Sequence, residues 1–263
     1  PDLGEAWNGL STENSLTRSV RDCALFMDIG SGRSIGDPYN GPEFETSLVE
    51  LSSQAPGPLK IAVQTKAPNG APVHQDCIKA VNETVTLLTD LGHHVEEASP
   101  EYDSSAVASA YTLIIAANVQ AAIDTHAATI GRKPEPSEIE PIIKFLAAIG
   151  HQKTASELAH AIWTMHRAGR DVGYFFSKYD ALVSPVVATP PPVLGTLDTS
   201  SNDVDAYLQA VFNFIPFTAI SNQAGIPSMS VPLHWNDQNV PIGVHFMAGY
   251  GKDDKLLQLA SQL

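Results

Sequence analysis

The sequence predicts an α/β fold, on two observations. A continuous apolar stretch from Leu59 to Val63 is followed by an amphipathic segment from His74 to Leu91 and a second strand pattern from His94 to Ala98. That order is a strand, helix, strand unit of parallel type. Near the other end, Ser228 to Val231 and Val240 to Phe246 alternate in polarity on either side of the turn-rich W-N-D-Q-N. This pattern reads as a hairpin of half-buried strands entered through Gly225 and Pro227.

The remaining elements follow in chain order. Val20, Cys23, Ala24 and Met27 recur at helical spacing between Ser19 and Ile29. Ser19 and Asp22 are placed as a capping-box-like pair, and Gly30 and Gly32 mark the stop. Arg18 and Asp22, one turn apart, are expected to form an ion pair that pins the helix start. The stretch from there to Pro58 is rich in Gly, Pro and Ser and predicts a long surface loop around Asp37 and Pro38. Gly92 closes the 74–91 helix. An Ala-rich helical run over 104–128, a second from Ser137 to Ile149 capped by Ser137 and Glu140, and a third from Thr154 to Tyr179 form a helical segment. A strand over Ala181–Val187 stops before Pro190, Pro191 and Pro192, and Asp203 to Ile220 is again helical. Neither a repeat nor a low-complexity tract is present.

Composition bounds the function. With 263 residues, 43% of them hydrophobic, the chain has the material for a large core. Chains near this length hide roughly three quarters of their unfolded surface. The formal charge is −14, from 15 basic and 29 acidic residues. Because the acids are spread along the chain, no nucleic acid partner is expected, since phosphate backbones select basic surfaces. No apolar run is read as approaching the ~20 residues that cross a bilayer, so no membrane partner is expected. The start carries no signal-peptide pattern, and cytoplasmic residence is the default. Cys23 and Cys77, each on a predicted helix, are too few for a disulfide framework and read as packed, reduced thiols. The nine histidines lack metal-ligand spacing, with His93 and His94 on opposite faces of a strand and His160 and His166 six apart on a helix. They read as solvated or capping side chains, and neither metal nor cofactor is expected.

Three motifs carry a family resemblance. The hairpin holds N-x-x-G-x-P-x-x-S-x-P as Asn222, Gly225, Pro227, Ser230 and Pro232, then Pro241, Gly243 and Val244 of P-x-G-V-Q, with His245 in place of the glutamine. Leu16 to Gly32 contains R-[ST]-V-x-D-x-A-x-x-x-D, and Ala248 to Leu263 supplies a closing helix, A-G-Y-G-K-D-D-K-L-L-Q. Together with K-I-A-V and L-G-H-x-V-x-E-A-x-P between Gly57 and Pro100, these make the chain resemble the amidase signature family over almost its whole length. Within that family it is most similar to the aminohexanoate cyclic dimer hydrolases. The resemblance implies a mixed β-sheet flanked by α-helices and hydrolysis of a small-molecule carboxamide, linear or cyclic.

The family's serine nucleophile, second serine in a cis peptide, and lysine lie in segments upstream of the part matched here. This sequence contains no Gly-Gly pair. Residues 1–263 are therefore read as the carboxyl-terminal portion of an amidase domain, with no catalytic residue of its own and no amide hydrolysis expected from the chain alone. Its expected partner is the amino-terminal portion of the same enzyme or another copy of itself. A non-catalytic binding module and an amidotransferase A-type subunit are the alternatives.

Two residues are carried over as candidate substrate-binding positions. Asn222 precedes the Gly225 turn on the strip that faces the family's cleft, and it is read either as positioning substrate or a nearby loop, or as satisfying turn backbone groups. Val186 stands in S-P-V-V, which resembles the family's pocket-rim L-P-T with the threonine lost, and reads as a wall contact. Ser230 is read as structural. Where the cyclic dimer hydrolases use a cysteine, this chain has Ile114, Ile115 and Ala116, which argues for a different ligand. G-R-S-I-G around Ser34 fits the nucleophile-elbow formula, but a helix precedes it where a strand is needed.

Overall fold

The computed structural model describes residues 5–39 and 41–263. Strand β1, Lys60–Val63, leads into helix α3, Gln75–Asp90, whose first turn is capped by His74 Nδ1 accepting from Asp76 N at 3.2 Å. Gly92, at φ +91°, turns the chain back into β2, His94–Glu97, which pairs parallel with β1 in the register Lys60↔His94. The parallel unit is therefore as the sequence predicts. Strand β3, Ala181–Pro185, joins β1 on the other side, also parallel. β4, Ser228–Trp235, and β5, Pro241–Ala248, form the hairpin, and β5 pairs antiparallel with β3. The order β2-β1-β3-β5-β4 makes one mixed sheet with helices on both faces.

Side-chain alternation divides the core between the two faces. On one, Ile61, Val63, Ala181, Val183, Val244 and Phe246 pack against α3 and the closing helix α9, Asp253–Gln262. On the other, Ala62, Leu182 and Met247 meet α4, Ser104–Ile130, α6, Ala155–Phe176, and α8, Ala219–Ala224. A smaller cluster of Ala24, Leu48 and Leu257 joins α1, Val20–Gly30, and α2, Leu48–Ser52, to α9. Ser19 caps α1 by accepting from Asp22 N, and Thr154 with Glu157 forms a reciprocal capping box on α6. Helix α5, Pro141–Gln152, crosses α4 so closely at Gly150 that a Cβ there would stand 2.2 Å from the Ala116 carbonyl oxygen.

Several expectations are corrected. The 33–58 loop contains α2, whose first amides are held by the Asp28 carboxylate at 2.7 and 3.1 Å, a contact twenty residues away in sequence. Helix α5 starts at Pro141, because Ser137 lies in the 3₁₀ turn Pro136–Glu138 and proline favours the first helical position. The predicted 203–220 helix is split into α7, Val204–Phe214, and α8 by Pro216, which has no N–H to continue the ladder. Arg18 lies outside α1, since Ser19 is its extended N-cap, and the cation nearest Asp22 is Arg21 at 3.7 Å. His93 is buried rather than solvated, with Nδ1 accepting from Leu59 N at 3.1 Å and Nε2 beside Gln262 Oε1.

Helix α4 also overturns the statement that no segment has the length and apolarity of a membrane span. It runs 27 residues, carries one formal charge, Asp124, and contains an 18-residue window with a mean hydropathy of 1.6. Its Ser, Thr, Asn and Gln residues hide that property from a search for unbroken apolar runs. In the fold Val107, Ala110, Ile114 and Ala116 of α4 are buried.

Candidate functional site

Helix α8 ends at Gly225, held in the left-handed region at φ +63°, and Pro227 then aims the chain along the sheet as β4. β4 alternates. Met229, Val231 and Leu233 pack into the α3/α9 core, while Ser228, Ser230 and Pro232 are exposed on the opposite face. A bulge between Val231 and His234 ends this regular register.

Across that face three strands place their polar residues in line. Ser230 pairs with His245 on β5, and His245 pairs with Ser184 on β3. Residues directly opposite in adjacent strands share a face, so the three side chains form a row. Beside it lies Gly243. A Cβ there would be 2.7 Å from Ser230 Oγ and 3.0 Å from Val186 Cγ2, so only glycine lets Val186 and Ser230 approach over β5. The result is a strip of small and polar groups, Ser228, Ser230, Gly243 and Val186, with Ser184 and His245 as its buried floor. It sits beside the carboxyl end of β3, next to the point where parallel pairing gives way to antiparallel pairing.

Burial sets the protonation of the floor. His245 is 3% exposed, and desolvation lowers its imidazole to a pKa of about 4, so it is neutral at pH 7. Its Nδ1 lies 3.3 Å from Ser184 Oγ, and that hydroxyl reaches the Pro185 carbonyl oxygen at 3.1 Å.

Asn222 is found at the other end of the strip. Its Nδ2 donates to the Leu10 carbonyl oxygen at 2.9 Å and to Thr12 Oγ1 at 3.3 Å, while Ser221 Oγ stands 3.4 Å from Ser228 Oγ. The side chain therefore holds the chain segment that precedes α1. Asn222 also lines a cleft of about 390 Å³ with Thr12, Asn14, Cys23, Ser228 and Asp253. Burial raises the Asp253 carboxyl above its ordinary value, against the opposing effect of its own backbone N–H. The structure thus puts Val186 and Asn222 toward the two ends of one polar face, linked by Ser228 and Ser230.

The other singled-out residues fall elsewhere. Ile114 and Ala116 are buried in α4, Ser34 lies in an exposed turn with its N–H donating to Asp37, and Cys77 is a buried thiol raised to about 11 by desolvation. Cys23 and Cys77 are both free. Among the described residues there is no group of three or more His, Cys, Asp or Glu able to hold a metal ion. Sequence reading did not single out the Ser184–His245 pair. Its one signal is an imidazole inside an otherwise apolar strand, where the related motif has glutamine.

Comparison with known proteins assigns the class. The pattern of the Amidase family matches residues 3–257, and the chain belongs to that family. It is 28% identical to the 6-aminohexanoate-cyclic-dimer hydrolase of Paenarthrobacter ureafaciens over 97% of this chain and 53% of that protein. It is 30% identical to the putative amidase AmiA2 of Mycobacterium tuberculosis over 99% of this chain and 52% of that one. A solved structure of 6-aminohexanoate cyclic dimer hydrolase complexed with substrate superposes with a TM-score of 0.85 at 28% identity, over 94% of this chain and 53% of that one. A bacterial aryl acylamidase shares the fold at a TM-score of 0.75 and 19% identity. The chain spans about half the length of the curated relatives it matches.

Proposed function

We propose that this chain is the carboxyl-terminal portion of an amidase signature hydrolase that cleaves a small-molecule carboxamide, linear or cyclic. In this reading it builds the wall of the reaction chamber, with Val186, Ser230 and Gly243 along one side. Asn222 is a substrate-proximal residue that acts on the ligand through the Leu10–Thr12 segment it holds. The Ser–cis-Ser–Lys groups come from polypeptide upstream of the part described, where a neutral lysine takes a proton through the bridging serine while the other serine attacks the carbonyl. Backbone N–H groups beside that nucleophile stabilise the oxyanion.

The observation that carries this reading is the exposed strip of small and polar residues on the very strands that bear the family's N-x-x-G-x-P-x-x-S-x-P element. Coverage of about half of each relative supports a chemical half supplied from elsewhere. The neutral floor of Ser184 and His245 supports it too, since hydrogen-bonding groups without charge suit an uncharged amide.

The purified chain, given a simple aryl amide and a fluorophosphonate serine probe, is expected to show neither turnover nor covalent labelling. Labelling accompanied by turnover would mean that a nucleophile within these residues had been overlooked. The free edge of β4, eight residues long, supports the companion proposal that the chain binds the amino-terminal portion of the same enzyme or self-associates. A monodisperse monomer by light scattering would contradict it.

A further inference from the structure

We infer that His245 is a ligand-binding residue, a fixed hydrogen-bond acceptor whose Nε2 receives an N–H of a carboxamide lying over Ser230, Gly243 and Val186. The inference rests on the strip being an amide-binding wall and adds to it the atom that reads the ligand's donor.

The argument starts from proton counting. A serine hydroxyl has one proton, and Ser184 directs it at the Pro185 carbonyl oxygen, 3.1 Å away. We place that proton in the bond to the Pro185 carbonyl, which leaves the hydroxyl's lone pairs facing His245 Nδ1 at 3.3 Å and makes the ring nitrogen the donor. A neutral imidazole carries one N–H, and with Nδ1 protonated, Nε2 is a bare acceptor. Nε2 has no hydrogen-bond partner among the described residues, yet it is not among the buried side-chain atoms sealed from solvent without one. A side chain 97% buried, fixed at one nitrogen and open at the other, is poised for a donor arriving from outside the fold.

The neighbours decide which donor fits. Ser184 and Ser230 flank His245 at the same register, and Gly243 lets the Ser230 hydroxyl and Val186 close in over β5 beside it. No charged side chain belongs to this row, so an ammonium or carboxylate would enter without a counter-charge, at a desolvation cost that a neutral group avoids. A primary or secondary amide supplies an N–H for Nε2 and a carbonyl for the Ser230 hydroxyl. A tertiary amide supplies the carbonyl alone.

Long-range ¹H–¹⁵N correlation spectra of the labelled chain test this directly. In the free protein the His245 Nδ1 resonance is expected at the protonated position and Nε2 at the unprotonated one. Hexanamide is expected to shift Nε2 toward the hydrogen-bonded range, and N,N-dimethylhexanamide at equal concentration is not. In His245→Leu, checked for folding by its melting curve, the preference for hexanamide should disappear, while His245→Gln, which keeps an acceptor oxygen, should retain it. A protonated Nε2 in the free protein overturns the inference, as do equal responses to the two amides. If hexanamide moves the backbone resonances of Val186 and Ser230 but leaves Nε2 still, His245 is excluded and the wall survives. If saturating hexanamide moves nothing along the strip, both the inference and the proposed function fall.

Discussion

Strands β3 and β4 belong to the same sheet but live in different surroundings. Every residue of β3 from Ala181 to Pro185 is buried, whereas β4 buries one face against α3 and α9 and presents Ser228, Ser230 and Pro232 outward on the other. The first pattern is that of a strand covered on both sides, where each substitution is a packing problem. The second belongs to a strand whose outer face has another use. β5 lies between them and takes both roles, with Val244 and Phe246 pointing into the core and Gly243 and His245 toward the strip. The difference separates residues that hold the fold from residues on an outward polar face.

Substitutions on the two faces should break that comparison if it is wrong. Phe246→Ala, at a fully buried position, is expected to cost about 3–5 kcal/mol in denaturant unfolding, whereas Ser230→Ala should change stability by less than about 0.5 kcal/mol. Similar losses at both positions would mean that the strip is core.

A pH titration sharpens the same contrast through His245. Its folded pKa, about 4, lies below the ordinary value of 6.5, so between these values the unfolded chain binds a proton that the folded chain refuses. Stability is therefore full above pH 6.5 and falls as pH drops toward 4, by about 3 kcal/mol in total at 1.36 kcal/mol per unit. His245→Gln should flatten this part of the profile, and an unchanged slope would assign the proton elsewhere.

Gly150→Ala should lower stability by about 1–3 kcal/mol through overpacking on Ala116, while Gly30→Ala, with nothing within 4 Å of the new methyl, should have almost no effect. Asn222→Ala should cost about 1 kcal/mol from losing the tie to Leu10, with faster amide exchange confined to the segment before α1.

How much of this was legible beforehand follows from the range of each interaction. The parallel unit and the hairpin could be read because strand periodicity, the Gly92 stop and the 236–240 turn are local signals. The same holds for α1, whose cap spans three residues. What escaped was set at long range or by one overriding residue. The row Ser184–His245–Ser230 joins positions 61 and 15 residues apart through strand register, and no spacing rule reveals it. Asn222 meets Leu10 across 212 residues, so the sequence left open whether it serves a turn, a loop or a ligand. Helix α2 depends on a carboxylate from α1, and the break before α8 on a single proline. The family motif marks the hairpin because it lies on those strands, but it gives no view of which residues stand under the strip.

The most direct test of the whole account is a crystal structure of this chain soaked with hexanamide. The account predicts the amide over Ser230, Gly243 and Val186, with its nitrogen toward His245 Nε2. Ligand found only elsewhere, with this strip left clear, would contradict it.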